Sequence, residues 1–205
     1  MQHDAYSLRA AADQPLFRGW TARDPAVERA RQAIAGWDGV YTRESQAAAL
    51  YEAWRNPTGT AGGGVAASEA PSKMSRISDE NRLQEAIARL TREQGADWGA
   101  WRWGRMHERT FPHPLAREFD LPTVERAGGA GTVAADGATY REILDVSNWD
   151  QSLTVNVPGQ SGQPGSPFYG NLLPYWTDNT YFPMVYTKKA VAEAITHRLT
   201  LRPAN

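Results

Sequence analysis

Residues 158–170, PGQSGQPGSPFYG, limit what the surrounding chain can form. They hold three prolines and four glycines, and they follow directly on the strand-like run LTVNV at 153–157. Proline fixes φ and lacks a backbone donor, whereas glycine reaches left-handed turns that other residues avoid. Neither a helix nor a continuing strand suits such a segment. We predict a rigid, shaped loop here.

Ser161 lies in this loop in a context that partly resembles a nucleophile elbow, G-x-S-x-G. The second glycine comes one place early, at Gly162, and the prolines that follow forbid the helix that an elbow requires. We therefore predict that Ser161 satisfies backbone groups of the loop and is not a nucleophile. The residues that do match the start of the pattern are Gly159, Gln160 and Ser161.

The order of the predicted elements indicates an α+β fold. Residues 1–55 have helical spacing, with Asp24-Pro25 as a helix start. Residues 56–76 are rich in Gly, Ala and Ser and read as a flexible linker, and residues 77–205 form the remaining α+β segment. Within that segment, a helix is expected from about residue 78 to 94, capped by Gly95.

The second half of the chain predicts mainly antiparallel strands. After Gly95 the pattern is one of β structure and loop, and WGAWRWGRMH (98–107) alternates large aromatic and other residues. Residues 139–146 and 153–157 look like two strands joined by a hairpin loop. A last helix is expected after Thr187 as N-cap. Its expected inward residues are Val191, Ala194 and Ile195. Helices, then strands, then one helix indicate α+β with a largely antiparallel sheet.

Charge and composition exclude several classes of function. The 205 residues carry a net charge of −1, so we expect no nucleic-acid partner. No apolar run approaches the length of a membrane span, and MQHDAYSLRA lacks the pattern of a signal peptide. The absence of cysteine excludes disulfides, thiol catalysis and cysteine metal sites.

His107 and His113 do not predict a zinc site. The helical motif H-E-x-x-H would place its second histidine at position 111, where Phe111 stands, and prolines flank His113. We expect His107 to be a hydrogen-bonded, half-buried residue packed among Trp101, Trp103 and Phe111. No metal ligand set is predicted from the residues.

Two glycine-rich stretches and one tryptophan cluster can each be interpreted as structural or as ligand-binding. Residues 59–64 and 127–137 lack the strand and helix context of a phosphate-binding loop, so we interpret them as connections. Trp98, Trp101 and Trp103 suit either a core or a surface that stacks on a ligand. A free-standing, non-catalytic binding module that uses this cluster is therefore the alternative function.

Several motifs, in this order, resemble the C-terminal part of the large subunit in the penicillin acylase family. The most specific is the segment at 158–170, because its Gly, Ser and Pro spacing is unusual. The others are MQHDAYSLRA, GWDG (36–39), ALYEAW (49–54), WRWGRMHERTFPHPL (101–115), YREILDVSNWDQS (140–152), Trp176 and YFPMVY (181–186). The sequence differs from the family pattern in two places. A Gly/Ala linker replaces a longer helical insertion, and Phe168 stands where the family often has His.

The resemblance implies a fragment of an N-terminal-nucleophile hydrolase with αββα layers. Such enzymes cut linear amides, including the acyl side chains of β-lactams and N-acyl-homoserine lactones. The serine nucleophile and the oxyanion Asn would lie outside this chain, which is therefore expected to be inactive alone and to need the small subunit and the first part of the large one. No catalytic residue is carried over; structural or supporting roles are expected for Trp103, His107, His113, Trp149, Gly159, Gln160, Ser161 and Gly162.

The resemblance also bears on cofactor and location. Some members of the family bind calcium, but the sequence offers no cluster that resembles a complete calcium site, so no cofactor is expected. Intact members are periplasmic or secreted. An N-acyl small molecule is the expected substrate of the intact enzyme.

Overall fold

A computed structural model of the protein describes residues 3–57, 76–129, 131–134 and 138–202, with the side chains of 76–78 left aside. The chain divides into two compact units, Met1–Gly137 and Ala138–Asn205, each of which is described by itself. Most of the predicted linker at 56–76 lies outside the described residues. The predicted segment boundaries therefore stay predictions.

Four helices form the framework of the described part of the first unit. They are α1 (Leu8–Asp13), α2 (Pro25–Ala35), α3 (Gln46–Arg55) and α4 (Arg76–Gln94). Side-chain oxygens of Ser7, Asp24 and Ser45 accept backbone N–H groups at the starts of α1, α2 and α3. The predicted start of α2 and the predicted end of α4 before Gly95, which has φ 95°, are confirmed.

Helix α3 is the centre of the first unit, because every residue from Ala48 to Arg55 is buried. Its Trp54 ring meets Phe17 edge-on at a centroid distance of 4.7 Å, and Tyr41 meets Trp103 in the same way at 5.2 Å. Aromatic contacts of this geometry add to the energy of apolar burial. The core therefore consists of aromatic and small residues contributed by helices and by the segment that follows α4.

The segment after α4, for which the sequence predicts a mixture of β structure and loop, consists of turns up to His107. Residues 98–107 contain two short 3-10 turns, Trp98–Ala100 and Trp103–Met106. The reason is local: the Asp97 carboxylate accepts the Gly99 N–H at 2.8 Å and starts a turn. The strands β1 (Glu108–Phe111) and β2 (Leu121–Glu125) then pair antiparallel.

The second unit contains a three-stranded antiparallel sheet in the order β3-β4-β5. The strands are β3 (Arg141–Ile143), β4 (Leu153–Val155) and β5 (Phe182–Pro183). Glu142 pairs with Thr154, so the predicted hairpin is confirmed with shorter strands than expected. Two helices, α5 (Leu173–Thr177) and α6 (Lys188–Ala194), complete the unit, and the α+β class with antiparallel strands is confirmed.

Helix α6 begins after Thr187 as predicted, but its expected inward face is wrong. Val191 and Ile195 are 37% and 42% exposed, Ala194 is exposed as well, and α6 buries none of its residues. The apolar residues have the right spacing, but no described element of this unit covers them. Among the described residues of the second unit, the buried apolar side chains are Val155, Val157, Leu172, Leu173 and Trp176.

Candidate functional site

The loop at 158–170 is closed by backbone hydrogen bonds across its ends. The carbonyl oxygen of Phe168 accepts N–H groups from Gln160 at 2.8 Å and from Ser161 at 3.1 Å, and Leu172 donates to the Pro158 carbonyl at 3.2 Å. The bond between Val157 and Pro158 is cis. The shaped loop that the sequence predicts is therefore present, and it returns the chain close to its own starting point.

The hydroxyl of Ser161 supports this loop from within. Its Oγ accepts the backbone N–H of Gln163 at 3.1 Å, and Ser166 Oγ accepts that of Phe168 at 3.2 Å. A nucleophilic serine needs a base within hydrogen-bond reach. Among the described residues, no serine hydroxyl pairs with a histidine ring, which agrees with the structural interpretation of Ser161.

Gly159 and Gly162 differ in what surrounds them. A Cβ on Gly159 would lie 2.3 Å from the Phe168 carbonyl oxygen and 2.4 Å from that of Tyr169, distances that no side chain tolerates. A Cβ on Gly162 would meet nothing within 4 Å. The first glycine is therefore required for the two ends of the loop to approach each other, and the second is not.

Trp103 and His107 are brought together in the first unit. Their rings stack with centroids 5.0 Å apart, the Trp103 indole donates to the Gly128 carbonyl at 2.6 Å, and His107 Nδ1 lies 3.2 Å from the Arg126 carbonyl oxygen. His107 is half-buried, as the sequence predicts. The pair joins the segment after α4 to the segment after β2.

His113 makes hydrogen bonds only to residues close to it in sequence, among the contacts described. Its Nδ1 accepts N–H groups from Leu115 at 3.2 Å and Ala116 at 3.3 Å, and its own N–H donates to Asp120 Oδ1 at 2.6 Å. The ring meets Phe119 edge-on at 5.3 Å. In the described part of the chain, no group of three or more His, Cys, Asp or Glu residues has the arrangement of a metal site.

Trp149 lies in the connection between β3 and β4 and is 45% exposed. Its neighbour Asp150 accepts the N–H groups of Tyr186 and Thr187 at 2.8 Å each, and the Thr187 hydroxyl at 2.6 Å. The Thr187 hydroxyl bond is the largest of the causes that lower the pKa of Asp150. Asp150 thereby fixes the start of α6 against the hairpin connection.

A buried ionic network in the first unit was not predicted from the sequence. Asp13 accepts from Tyr51 at 2.7 Å and pairs with Arg55, while Glu52 accepts from Tyr41 at 2.6 Å and from Arg9 at 2.5 Å. Burial is the main cause that raises the pKa values of both tyrosines. The available signal was the pair of charged residues inside the otherwise apolar helix ALYEAWR.

The tryptophan cluster is part of the core. Trp101 and Trp103 are 1% and 5% exposed, Trp101 stacks on Trp98 at 4.5 Å, and the Arg29 guanidinium covers the Trp98 ring at 4.7 Å. Trp101 and Trp103 are too buried to stack on a ligand, and the Trp98 ring already contacts Trp101 and Arg29. The cluster therefore does not favour the alternative of a tryptophan-based binding module.

Comparisons with known proteins give one consistent result. The sequence profile described as penicillin amidase matches residues 1–193. The chain is 31% identical over 218 residues to the penicillin acylase 2 proenzyme of Pseudomonas sp. strain SE83, which covers 83% of this chain and 28% of that protein. It is 29% identical over 141 residues to the acyl-homoserine lactone acylase QuiP of Pseudomonas syringae pv. tomato. That alignment covers 59% of this chain and 17% of that protein.

The chain thus spans less than a third of the length of these relatives. Among solved structures, thermostable penicillin G acylase from Alcaligenes faecalis aligns with 98% of this chain and 48% of its own, at 18% identity and a TM-score of 0.45. Among the described residues, no helix combines the length and apolar character needed to cross a bilayer.

Proposed function

Because the chain belongs to the penicillin amidase family, we propose that it is the C-terminal portion of a hydrolase that cleaves linear amides. The observation that carries the proposal is the family match over residues 1–193 in a chain that spans 28% of a full-length relative. The names of the relatives suggest acyl side chains of penicillins or N-acyl-homoserine lactones as substrates.

The portion described here supplies framework and not the reacting groups. Six serines have described side chains, and none of them bonds to a histidine ring. Five accept a nearby backbone N–H, and the hydroxyl of Ser147 donates to the Asp145 carboxylate. The six are Ser7, Ser45, Ser147, Ser152, Ser161 and Ser166. Activation of a serine requires a positioned base and donors for the oxyanion. In the proposed enzyme these groups come from the part of the protein that this chain does not contain.

The partner in this proposal is the rest of the acylase: its small subunit and the earlier part of its large subunit. Together they would complete the αββα layers of an N-terminal-nucleophile hydrolase, in a periplasmic or secreted enzyme. The short sheet of the second unit, β3-β4-β5, supports this, because a three-stranded sheet with strands of two or three residues has little independent stability.

The test has a genetic and a biochemical part. The DNA directly upstream of the Met1 codon is sequenced, and we expect an open frame that encodes a processing site followed by serine. The purified 205-residue chain is then assayed with a chromogenic N-acyl anilide, and no turnover above buffer is expected. Co-expression with the upstream portion is expected to give hydrolysis, and a portion with that serine replaced by Ala serves as the control.

Two results would contradict the proposal. Turnover by the pure chain would place the nucleophile within it, and Ser161→Ala would then identify or exclude the only elbow-like serine. Stop codons or unrelated sequence upstream would make the chain a separate gene product, and the activity would have to be sought elsewhere.

A further inference from the structure

The second unit exposes more large apolar side chains than it buries. Among the described residues 138–202, five apolar side chains are buried and twelve large ones are at least 37% exposed. The exposed ones are Tyr140, Ile143, Leu144, Val146, Trp149, Phe168, Tyr175, Tyr186, Val191, Ile195, Leu199 and Leu201. Single exposed apolar residues are ordinary, but a contiguous group of them marks an interaction surface.

Five of the twelve form what we call the hairpin-end patch: Ile143, Leu144, Val146, Trp149 and Tyr186. The first four belong to the end of β3 and its connection to β4, at exposures between 40% and 76%. Tyr186 joins them from a distant part of the sequence, because its ring lies 5.9 Å from that of Trp149 and its N–H donates to Asp150. Trp149 and Tyr186 are therefore in ring contact, and Ile143, Leu144 and Val146 are exposed on the same short connection.

The polar groups of the connection are already engaged within it. Asp145 Oδ1 accepts the N–H groups of Ser147 at 2.9 Å and Asn148 at 3.0 Å, and the Ser147 hydroxyl at 2.6 Å. Both oxygens of Asp150 are likewise used by the segment at the start of α6. The connection therefore presents its apolar side chains on a backbone that is fixed in advance, which lowers the entropy cost of docking.

The charge of the second unit argues for a protein partner. Residues 138–202 carry five Lys or Arg and five Asp or Glu residues, so no excess of positive charge would attract nucleic acid or anionic lipid. All five patch residues lie within the region matched to the family, 1–193, while more than two thirds of the Pseudomonas proenzyme has no counterpart in this chain.

We propose that the hairpin-end patch is a docking surface for the portion of the amidase polypeptide that lies outside this chain. The inference rests on the proposed function and adds to it the residues that make the contact. In the complex the patch becomes the buried centre of an interface, with Trp149 and Tyr186 as its aromatic anchors.

The absence of cysteine makes this testable with single introduced thiols. Val146→Cys reports on the patch, where Val146 is 76% exposed; Leu199→Cys is the control, since Leu199 is 83% exposed and lies beyond residue 193. Each variant is alkylated with a maleimide, alone and after co-expression with the part of the Pseudomonas acylase 2 proenzyme that this chain does not match. We expect alkylation of Val146→Cys to slow about tenfold or more in the complex, with little change for Leu199→Cys.

A second pair of variants tests the energetics. Val146→Asp places a charge in the patch and is expected to weaken co-purification with the same proenzyme portion by about tenfold or more, because burying an unpaired charge is costly. Leu199→Asp is expected to leave co-purification unchanged. Both variants retain the internal hydrogen bonds of the connection.

The outcomes separate this inference from the proposed function. A complex that forms and hydrolyses the anilide while Val146→Cys reacts at its free rate overturns the docking surface and leaves the function standing. Protection of Val146→Cys that rises with the concentration of the chain alone assigns the patch to a second copy, which also overturns it. Failure of the two parts to associate, with no hydrolysis, overturns both.

Discussion

At the scale of single residues, the loop at 158–170 depends on space more than on hydroxyl chemistry. Gly159 lies where two carbonyl oxygens converge, so only a hydrogen atom fits in place of a side chain. Ser161, by contrast, contributes one hydrogen bond to a backbone N–H. Ser161, which resembles a nucleophile in sequence, is therefore less important to the loop structure than Gly159.

We predict that Gly159→Ala and Gly162→Ala have very different effects on stability. Gly159→Ala forces two carbonyl oxygens apart, and we expect a loss of about 1–3 kcal/mol in the free energy of unfolding. A Cβ at position 162 meets no atom within 4 Å, so Gly162→Ala should change the free energy of unfolding by less than about 0.5 kcal/mol. Urea unfolding of the full chain, followed by tryptophan fluorescence, measures both; equal effects would contradict the described approach of the loop ends.

The buried network around Asp13 gives a second prediction at this scale. Asp13→Ala removes the carboxylate that Tyr51 and Arg55 contact inside the core, and breaking a buried pair costs about 3–5 kcal/mol. Glu44→Ala breaks the exposed pair with Arg43 and should cost about 0–1 kcal/mol. Thermal unfolding of the two variants compares them directly, and a Glu44→Ala loss as large as that of Asp13→Ala would refute this assignment.

At the scale of elements, the Glu28 side chain of helix α2 bonds both to the segment before the helix and to residues within it. Glu28 accepts the Ala22 N–H at 2.9 Å, two N–H groups of Arg31 at 2.8 and 2.7 Å, and the Gln32 amide at 2.6 Å. The Arg31 bonds are the largest cause that lowers the pKa of Glu28, from 4.5 to about 2. The carboxylate is thus needed in its charged form.

This arrangement predicts a loss of stability in acid. A carboxyl group whose pKa is depressed in the folded state stabilises it above the unfolded value of 4.5, and the stabilisation is lost as the pH falls from there towards about 2. Glu28→Gln should therefore be less stable than the parent at pH 7 and show a shallower decline between pH 5 and pH 2. Urea unfolding at several pH values measures the slopes; identical slopes would exclude Glu28 as a contributor.

The sequence predicted elements well where local signals decide them, and poorly where packing decides. Asp24-Pro25 and Gly95 set helix limits through capping, which depends on neighbours in sequence. The alternation at 98–107 did not show which part is turn, because Asp97 starts a turn and the Trp103 indole donates to the carbonyl of Gly128, 25 positions along the chain. Periodicity alone could not show the long-range bond of Trp103.

The candidate site shows the same division. The prediction that Ser161 bonds within its own loop followed from two prolines in sequence, and the half-buried state of His107 from its aromatic neighbours. The pairing of Asp13 with Arg55 spans 42 positions, and that of Asp150 with Thr187 spans 37, so neither had a local signature. Contacts of this kind form only when the fold brings separate segments together.

At the scale of the whole molecule, the two units differ in how much apolar surface each buries. Among the described residues, the core of the first unit contains eighteen buried apolar residues, whereas the second unit buries five. Apolar burial contributes about 25 cal/mol per Å², so the second unit has far less to offset the entropy cost of ordering its chain. Its stability should therefore depend on what covers its exposed side chains.

This difference is measurable by amide hydrogen exchange of the 205-residue chain. We expect the amides of α3 to exchange slowest and those of β3 and β4 to exchange much faster, because local opening is easiest where few apolar contacts are lost. Addition of the part of the Pseudomonas acylase 2 proenzyme that this chain does not match should slow β3 and β4 selectively and leave α3 nearly unchanged. If β3 and β4 are already as protected as α3 in the chain alone, the second unit is self-sufficient, and its exposed apolar residues no longer require a partner.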